Sequence, residues 1–156
     1  MLSEEAKAHI TSLRATYPER QSALLPALYV AQGEIGWLPD AAMDEVAQLL
    51  DLPLAEVGSV ASFYTMFYRH PVGKSIISLC TNLSCHLLGA DTLGSYLSKK
   101  LGVGDGETTP DRLFTLEFVE CIGACDFAPA MLVNGKLYRT MSEEKIDALL
   151  DELKGA

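Results

Sequence analysis

Four cysteines are the residues of this sequence best suited to chemistry. Cys80 and Cys85 are separated by four residues, Cys121 and Cys125 by three, and 35 residues lie between the two pairs. Residues 1–6 include two acids and no basic or apolar leader, which predicts a chain that stays in a reducing compartment. In such a compartment, a clustered and even number of cysteines indicates metal binding or redox chemistry before it indicates disulfides.

The segments around the cysteines predict strands that bring both pairs to one edge of a sheet. Residues 75–80 and residues 114–119 are apolar and rich in strand-forming types, and each segment is followed by a cysteine loop. Between them we expect a helix from about residue 86 to residue 101, with Gly102 just after its end. A crossover of this kind makes the two strands parallel, so their carboxyl ends lie side by side.

Spacing alone leaves three interpretations of the four cysteines open. Structural zinc tolerates such pairs, although neither has the two-residue spacing that dominates zinc ribbons. A [2Fe–2S] cluster takes two thiolates on each iron, and two separated pairs suit it. The cysteines could also be inert or act as dithiols. Gly123 and Ala124 are small enough for backbone N–H groups to approach sulfur, and Thr81, Asn82 and Ser84 offer further hydrogen-bond donors.

The first part of the chain, residues 1–70, is predicted to be a helical bundle. Ser3 is a suitable N-cap for the first helix, and Pro26 is expected near the start of the second or at a kink in it. Four segments have apolar residues at helical spacing, and they are separated by Pro18, Gly33, Gly36, Pro39 and Pro53. An aromatic cluster, residues 63–68, ends this part and is expected to pack against other elements.

The second part, residues 71–156, is predicted to be a thioredoxin-like domain with the element order βαβββα. Residues 131–133 and 136–138 flank Asn134-Gly135, a strong signal for a tight hairpin, and a last amphipathic helix begins near Ser142. Residues 102–110 are expected to form a loop. The fold class is therefore α/β, with a helical bundle followed by a thioredoxin-like domain that carries the cysteines.

Composition excludes several functions. The chain has 156 residues and a net charge of −9, spread over both parts, so nucleic acid and anionic membrane surfaces are poor partners. No apolar run approaches the roughly 18–20 residues of a membrane span, so direct membrane insertion is not expected.

Longer motifs resemble a known family. Cys80-Thr-Asn-Leu-Ser-Cys85 and Cys121-Ile-Gly-Ala-Cys125-Asp-Phe-Ala-Pro129 resemble the thioredoxin-like [2Fe–2S] ferredoxin subunit of NADH:quinone oxidoreductase, respiratory complex I. Gly36-Trp37-Leu38-Pro39 and Ser62-Phe63-Tyr64 are similar to that family's pattern in the helical part. Arg112 and Ser84 depart from residues that are frequent in the family, and neither position is a cysteine.

The resemblance implies a cofactor, its ligands and its partners. Cys80, Cys85, Cys121 and Cys125 would each ligate a [2Fe–2S] cluster that exchanges single electrons with a flavin. FMN and NAD would bind only to a partner subunit, the flavin- and NADH-binding subunit of the same complex. The complex would place this chain at the cytoplasmic side of a membrane as a peripheral subunit. Apart from the resemblance, isolated chains are expected to form a homodimer through the aromatic cluster, the surface that would otherwise meet the partner.

Other functions stay open beside this one. Related subunits serve NAD-linked hydrogenases and formate dehydrogenases. Residues 44–58 have the rhythm of a DNA-binding helix–turn–helix, but the second helix has no Arg, Lys, Asn or Gln for base edges. A thiol–disulfide oxidoreductase is disfavoured because no Cys-x-x-Cys is present.

Overall fold

The helices of the first unit begin and end at residues that supply caps or breaks. The computed structural model describes residues 1–155, and its first compact unit runs from Met1 to Pro71. Its elements are α1 (Glu4–Thr16), a 3₁₀ turn (Arg20–Ala23), α2 (Leu24–Ile35), α3 (Asp40–Leu50) and α4 (Leu54–Phe63). The Ser3 hydroxyl accepts a hydrogen bond from the Ala6 N–H at 3.2 Å, which confirms the predicted N-cap. Pro26 lies in the first turn of α2, where proline is tolerated.

The core of the first unit is formed by the inward faces of these helices. Its fully buried side chains include Ile10, Leu28, Val46, Leu50 and Val57. Burying one side chain of this kind stabilises the fold by about 1.5–3 kcal/mol relative to leaving it in water. Packing of these apolar faces, rather than intrinsic helix propensity, therefore holds the helices together.

The second unit begins at Val72 and is built around a five-stranded mixed sheet. Its elements are β1 (Ser75–Cys80), α5 (Leu83–Leu87), α6 (Ala90–Leu101), β2 (Glu107–Thr108), β3 (Phe114–Val119), a 3₁₀ turn (Cys125–Phe127), β4 (Met131–Val133), β5 (Lys136–Tyr138) and α7 (Glu143–Gly155). The strand order is β2-β3-β1-β4-β5, with β1 and β3 parallel and the other pairs antiparallel. This arrangement confirms the predicted α/β, thioredoxin-like fold class.

Two local predictions were wrong. The single helix expected from 86 to 101 is two helices, α5 and α6, because Gly89 has a φ of +97° and breaks the chain direction between them. The segment 102–110 is not wholly a loop, since Glu107–Thr108 pairs with β3 as a short edge strand. The end of α6 follows expectation: Gly102 is left-handed, with a φ of +71°.

The hairpin between β4 and β5 forms as predicted and also fastens β1. Asn134 and Gly135 both have positive φ, which fits a tight two-residue turn. The Asn134 side chain accepts a hydrogen bond from the Ile76 N–H at 2.8 Å and donates one to the Lys74 carbonyl at 3.0 Å. The turn residue therefore continues the pairing of β4 with β1 beyond the end of the strand.

Helices α6 and α7 are joined by a polar network at the surface. Asp147 accepts hydrogen bonds from Lys100 and Tyr96, both at 2.6 Å. These bonds, first that from Lys100, hold the pKa of Asp147 below its ordinary value, and the same contact raises the pKa of Lys100. The carboxylate's contribution to stability is present above its unfolded pKa and is lost as the pH falls through its folded pKa.

The start of the second unit depends on a close backbone approach at Gly73. A Cβ at this position would lie 2.6 Å from the Phe114 carbonyl carbon and 2.8 Å from the Phe114 nitrogen. The Gly73 N–H donates to the Thr115 hydroxyl at 2.6 Å, so the glycine is held against β3.

Among residues 1–155, no helix has the length and apolar character that a membrane span requires.

We expect Gly73→Ala to lower the free energy of unfolding by about 1–3 kcal/mol, because the methyl group would meet backbone atoms that cannot move aside. Urea unfolding followed by circular dichroism measures this change. Gly104→Ala in the same unit is the matched control, since its Cβ would meet only the flexible Glu107 carboxylate at 3.4 Å. Equal stability of the two variants would contradict the prediction.

Candidate metal centre

Parallel pairing of β1 with β3 brings the two cysteine loops to one edge of the sheet. The register runs from Ser75 opposite Phe114 to Cys80 opposite Val119, so both strands end side by side. Beyond the last pair, the Thr81 N–H donates to the Val119 carbonyl at 2.9 Å. Cys80 thus ends one strand while Cys121 follows the other by two residues, as the sequence predicts.

The first cysteine pair is buried. Cys80 is 3% exposed and Cys85 is 2% exposed, and both belong to a small apolar cluster with Ala90 and Ala128. Ile122, from the second cysteine loop, packs against this cluster. The two sulfur atoms therefore lie in an environment from which water is largely removed.

The second cysteine pair lies in an exposed loop. Cys121 and Cys125 are both exposed as free thiols. Gly123 between them has a φ of +70°, and its N–H points to the Cys121 sulfur at 3.4 Å. This contact confirms the expectation that a backbone N–H approaches a sulfur in this loop. The cis Ala128–Pro129 bond follows the loop.

Burial and the neighbouring sulfurs disfavour a thiolate at Cys85 when no metal is bound. Burial raises the pKa of the Cys85 thiol above its ordinary value, the Ala130 backbone opposes this through a hydrogen bond, and the neighbouring sulfurs of Cys80 and Cys125 raise the pKa further. Mutual repulsion between adjacent thiolates is relieved when a metal cation supplies positive charge. Metal binding at these thiols would therefore release protons.

The two cysteine pairs offer a donor set that a binuclear cluster can use. Among residues 1–155, no three His, Cys, Asp or Glu side chains form a group that could hold a metal ion, so the structure does not gather the four cysteines into one tight site. A structural zinc ion needs four ligands around one centre, whereas a [2Fe–2S] cluster needs two thiolates at each of two irons. The donor set, four thiols in two pairs from two adjacent loops, suits the second requirement.

Two hydrogen-bond donors predicted from the sequence are used elsewhere. The Thr81 hydroxyl donates to the Val119 carbonyl at 3.2 Å, and the Asn82 side chain accepts from the Leu83 N–H to cap α5. Both residues shape the loop instead of contacting sulfur. His86, which follows Cys85, is paired with Asp91 at 2.9 Å.

Sequence reasoning missed an apolar surface beside the centre. Leu83, Leu87 and Leu88 are 68%, 73% and 60% exposed, and together we call them the α5 leucine patch. Leu83 falls in the loop expected before residue 86, and Leu87 and Leu88 fall in the single helix expected from 86 to 101, and neither expectation indicated an exposed apolar patch. The short five-residue length of α5, capped by Asn82 and followed by Gly89, is what leaves them at the surface.

A thioredoxin-like sheet with four cysteines at one edge defines a class of iron–sulfur protein. The family model described as thioredoxin-like [2Fe-2S] ferredoxin matches residues 10–154 of this chain. The chain belongs to that family, and its cofactor is a [2Fe–2S] cluster.

Relatives and solved structures agree with this assignment. The chain is 43% identical over 150 residues to the E 2 subunit of NADH-quinone oxidoreductase from Rhizobium meliloti, covering 96% of this chain and 89% of that protein. It is 44% identical over 138 residues to the E subunit of NADH-quinone oxidoreductase from Mycobacterium tuberculosis, covering 88% of this chain and 55% of that protein. The crystal structure of NAD+-reducing [NiFe]-hydrogenase in the air-oxidized state has a TM-score of 0.76 and 29% identity, covering 89% of this chain and 24% of that one.

Proposed function

We propose that this chain is the electron-transfer subunit of an NADH-quinone oxidoreductase and that Cys80, Cys85, Cys121 and Cys125 hold its [2Fe–2S] cluster. The convergence of the two cysteine loops at one edge of the sheet carries this proposal. Identity of 43% to the NADH-quinone oxidoreductase protein of Rhizobium meliloti, over nearly the whole chain, supports the host complex.

The bound cluster supplies one-electron chemistry, and the chain's residues set the conditions for it. Ala90, Ala128 and Ile122 exclude water from the buried sulfurs, which controls the local dielectric. The Gly123 N–H directed at the Cys121 sulfur adds positive polarity beside that ligand. Such contacts, together with net charge and exposure, tune the reduction potential of iron–sulfur clusters.

The electron partner is proposed to be the flavin of a separate flavin- and NADH-binding subunit, which would carry both FMN and NAD. The α5 leucine patch supports docking of a protein there, because several large apolar side chains are exposed together next to Cys85. Docking at this surface would place the partner beside the cysteine loops. As part of such a complex, the chain would lie peripherally at the cytoplasmic side of the membrane.

A NAD-linked hydrogenase is the second candidate host. The structural likeness to the NAD+-reducing [NiFe]-hydrogenase, at 29% identity, favours it specifically, although this chain spans only 22–24% of the matched chains. Affinity purification of the chain from its own cells separates the two hosts. Recovery of a nickel-containing subunit would replace the oxidoreductase proposal, whereas recovery of quinone-reducing activity would support it.

The two parts of the chain are proposed to act as separate domains, residues 1–70 and residues 71–156. The division of the chain into two compact units supports this, since each has its own apolar core.

Isolated chains are proposed to pair as homodimers through an aromatic patch, which consists of Tyr29, Phe63 and Met66 in the first unit. All three are exposed, and Phe63 reaches 77%. Two of the three take part in ring contacts, Tyr29 with Phe67 and Phe63 with Tyr64, each with centroids 5.1 Å apart. Rigid and exposed aromatic surface of this kind is enriched at protein interfaces.

We expect each of the substitutions Cys80→Ala, Cys85→Ala, Cys121→Ala and Cys125→Ala to remove most of the bound iron, because alanine offers no ligand. Anaerobic iron and sulfide analysis with electron paramagnetic resonance measures this, with two irons, two sulfides and one unpaired spin expected for the reduced parent chain. Ser84→Ala, beside Cys85, is the control and should keep its iron. A variant with full iron and an unchanged spectrum would remove its cysteine from the ligand set.

We expect Leu83→Ser and Leu87→Ser each to weaken binding to the flavin-containing subunit of the same host about tenfold, because each loses apolar area buried at the interface. Equilibrium binding of the cluster-loaded chain to that subunit gives the dissociation constants. Leu54→Ser removes an exposed leucine from the first unit and serves as the control. Unchanged affinity in both α5 variants, with an intact cluster spectrum, would show that the subunit docks elsewhere.

Light scattering coupled to size exclusion should give the isolated parent chain twice the mass of one chain, and Phe63→Ser should shift the population toward single chains, because it removes the most exposed aromatic side chain of the patch. Leu54→Ser is again the control. A parent chain that is monomeric at all accessible concentrations would rule the homodimer out.

A further inference from the structure

The two cysteine pairs differ sharply in their access to solvent. Cys80 and Cys85 are enclosed by the small apolar cluster, whereas Cys121 and Cys125 are exposed. Access decides which thiol a large reactant meets first, since only an exposed sulfur can be approached without moving other atoms. The pairs therefore cannot be equivalent toward an incoming protein.

The loop that carries the exposed pair also packs against the buried pair. Ile122 and Ala128 belong to the segment that contains Cys121 and Cys125, and both pack on the cluster around Cys80 and Cys85. Hydrogen bonds from the Phe127 N–H to the Ala124 carbonyl and from the Ala128 N–H to the Cys125 carbonyl close within the same segment. A displacement of this loop would thus uncover the buried sulfurs.

We propose that Cys121 and Cys125 form the entry site for the cluster: they engage a thiolate-ligated [2Fe–2S] donor first, and Cys80 and Cys85 bind second, once the loop has lifted Ile122 away. The proposal rests on the ligand assignment made above and adds an order of binding to it. The proposed supply reaction is the transfer of a preassembled cluster from a thiolate carrier to this chain.

The transfer balances as ligand exchange. Each cysteine that becomes a ligand forms a sulfur–iron bond and gives up its thiol proton, while a donor sulfur–iron bond breaks and the departing donor thiolate takes up a proton. No group is oxidised or reduced. The chain needs nothing from the donor beyond the cluster itself.

Alkylation of the cluster-free, reduced full-length chain tests the access of the two pairs. Tryptic cleavage separates them naturally, with Cys80 and Cys85 in residues 75–99 and Cys121 and Cys125 in residues 113–136. The chain is treated with iodoacetamide under anaerobic conditions and then digested. Mass spectrometry should show the cysteines of residues 113–136 alkylated at least about tenfold faster than those of residues 75–99. Equal rates would overturn the proposal.

Ile122→Ala tests whether the loop guards the buried pair. The substitution should speed alkylation of residues 75–99 several-fold and leave that of residues 113–136 unchanged, because only the cover over Cys80 and Cys85 is thinned. Leu113→Ala is the matched control: Leu113 is a half-buried residue that packs on the main core of the same unit. Equal acceleration by both variants would indicate general loosening and contradict a guarding role.

Transfer from a glutathione-coordinated [2Fe–2S] complex tests the order directly. With Cys80→Ala and Cys85→Ala combined, native mass spectrometry should show the chain bound to the complex with glutathione still attached. With Cys121→Ala and Cys125→Ala combined, no such species should form. Circular dichroism of both variants establishes that they are folded, and the opposite pattern would overturn the proposal.

The outcomes separate a wrong order from a wrong ligand set. After loading of the parent chain, both tryptic segments should be protected from alkylation if all four cysteines are ligands. A segment that stays reactive after loading would refute the ligand assignment. Two segments that are both protected after loading, yet equally reactive before it, would refute the order of binding alone.

Discussion

The parallel pairing of β1 with β3 is the interaction on which the metal centre depends. It aligns Cys80 with Val119, and the hydrogen bond from Thr81 to the Val119 carbonyl extends the ladder by one residue into the cysteine loops. Backbone hydrogen bonds at these positions fix where each loop departs, so the sulfurs start from defined points at the same edge. The helices α5 and α6 serve this pairing as the crossover that makes the two strands parallel.

The centre combines a buried, apolar surrounding with ligands that must carry negative charge, and these two requirements oppose each other. Burial raises the pKa of the Cys85 thiol and so favours its neutral form, which suits an apolar surrounding. Metal ligands must instead be thiolates, so binding has to drive deprotonation inside the protein. The exposed loop with Cys121 and Cys125 faces no such desolvation cost, and it brings Ile122 to complete the apolar side. Folding of the loops and metal affinity are consequently linked.

Much of this fold could be predicted because local signals and long-range packing agree. Alternation in 114–119, the Asn134-Gly135 turn and the left-handed Gly102 each specify one conformation. The break at Gly89 was missed because the leucines on both sides match the helical period, and periodicity does not show where a chain turns. The cysteine pairs were found from residue type and spacing alone. The unequal burial of the two pairs could not be found in this way, because it depends on contacts of Ile122 and Ala128 that spacing does not encode.

The fastening of β1 by Asn134 has a consequence for the precision of the metal site. Side chains alternate between the two faces of a strand, so a slip of one residue would turn Cys80 away from its partners. On one side β1 is held by six residue pairs with β3. On the other side, β4 forms three residue pairs with β1, and the Asn134 side chain extends this pairing by hydrogen bonds to Ile76 and Lys74. The Asn134 side chain, which lies in a surface turn, thereby helps to fix the register of β1. It does so at the start of β1, and the register determines the position of the Cys80 sulfur at the other end of that strand.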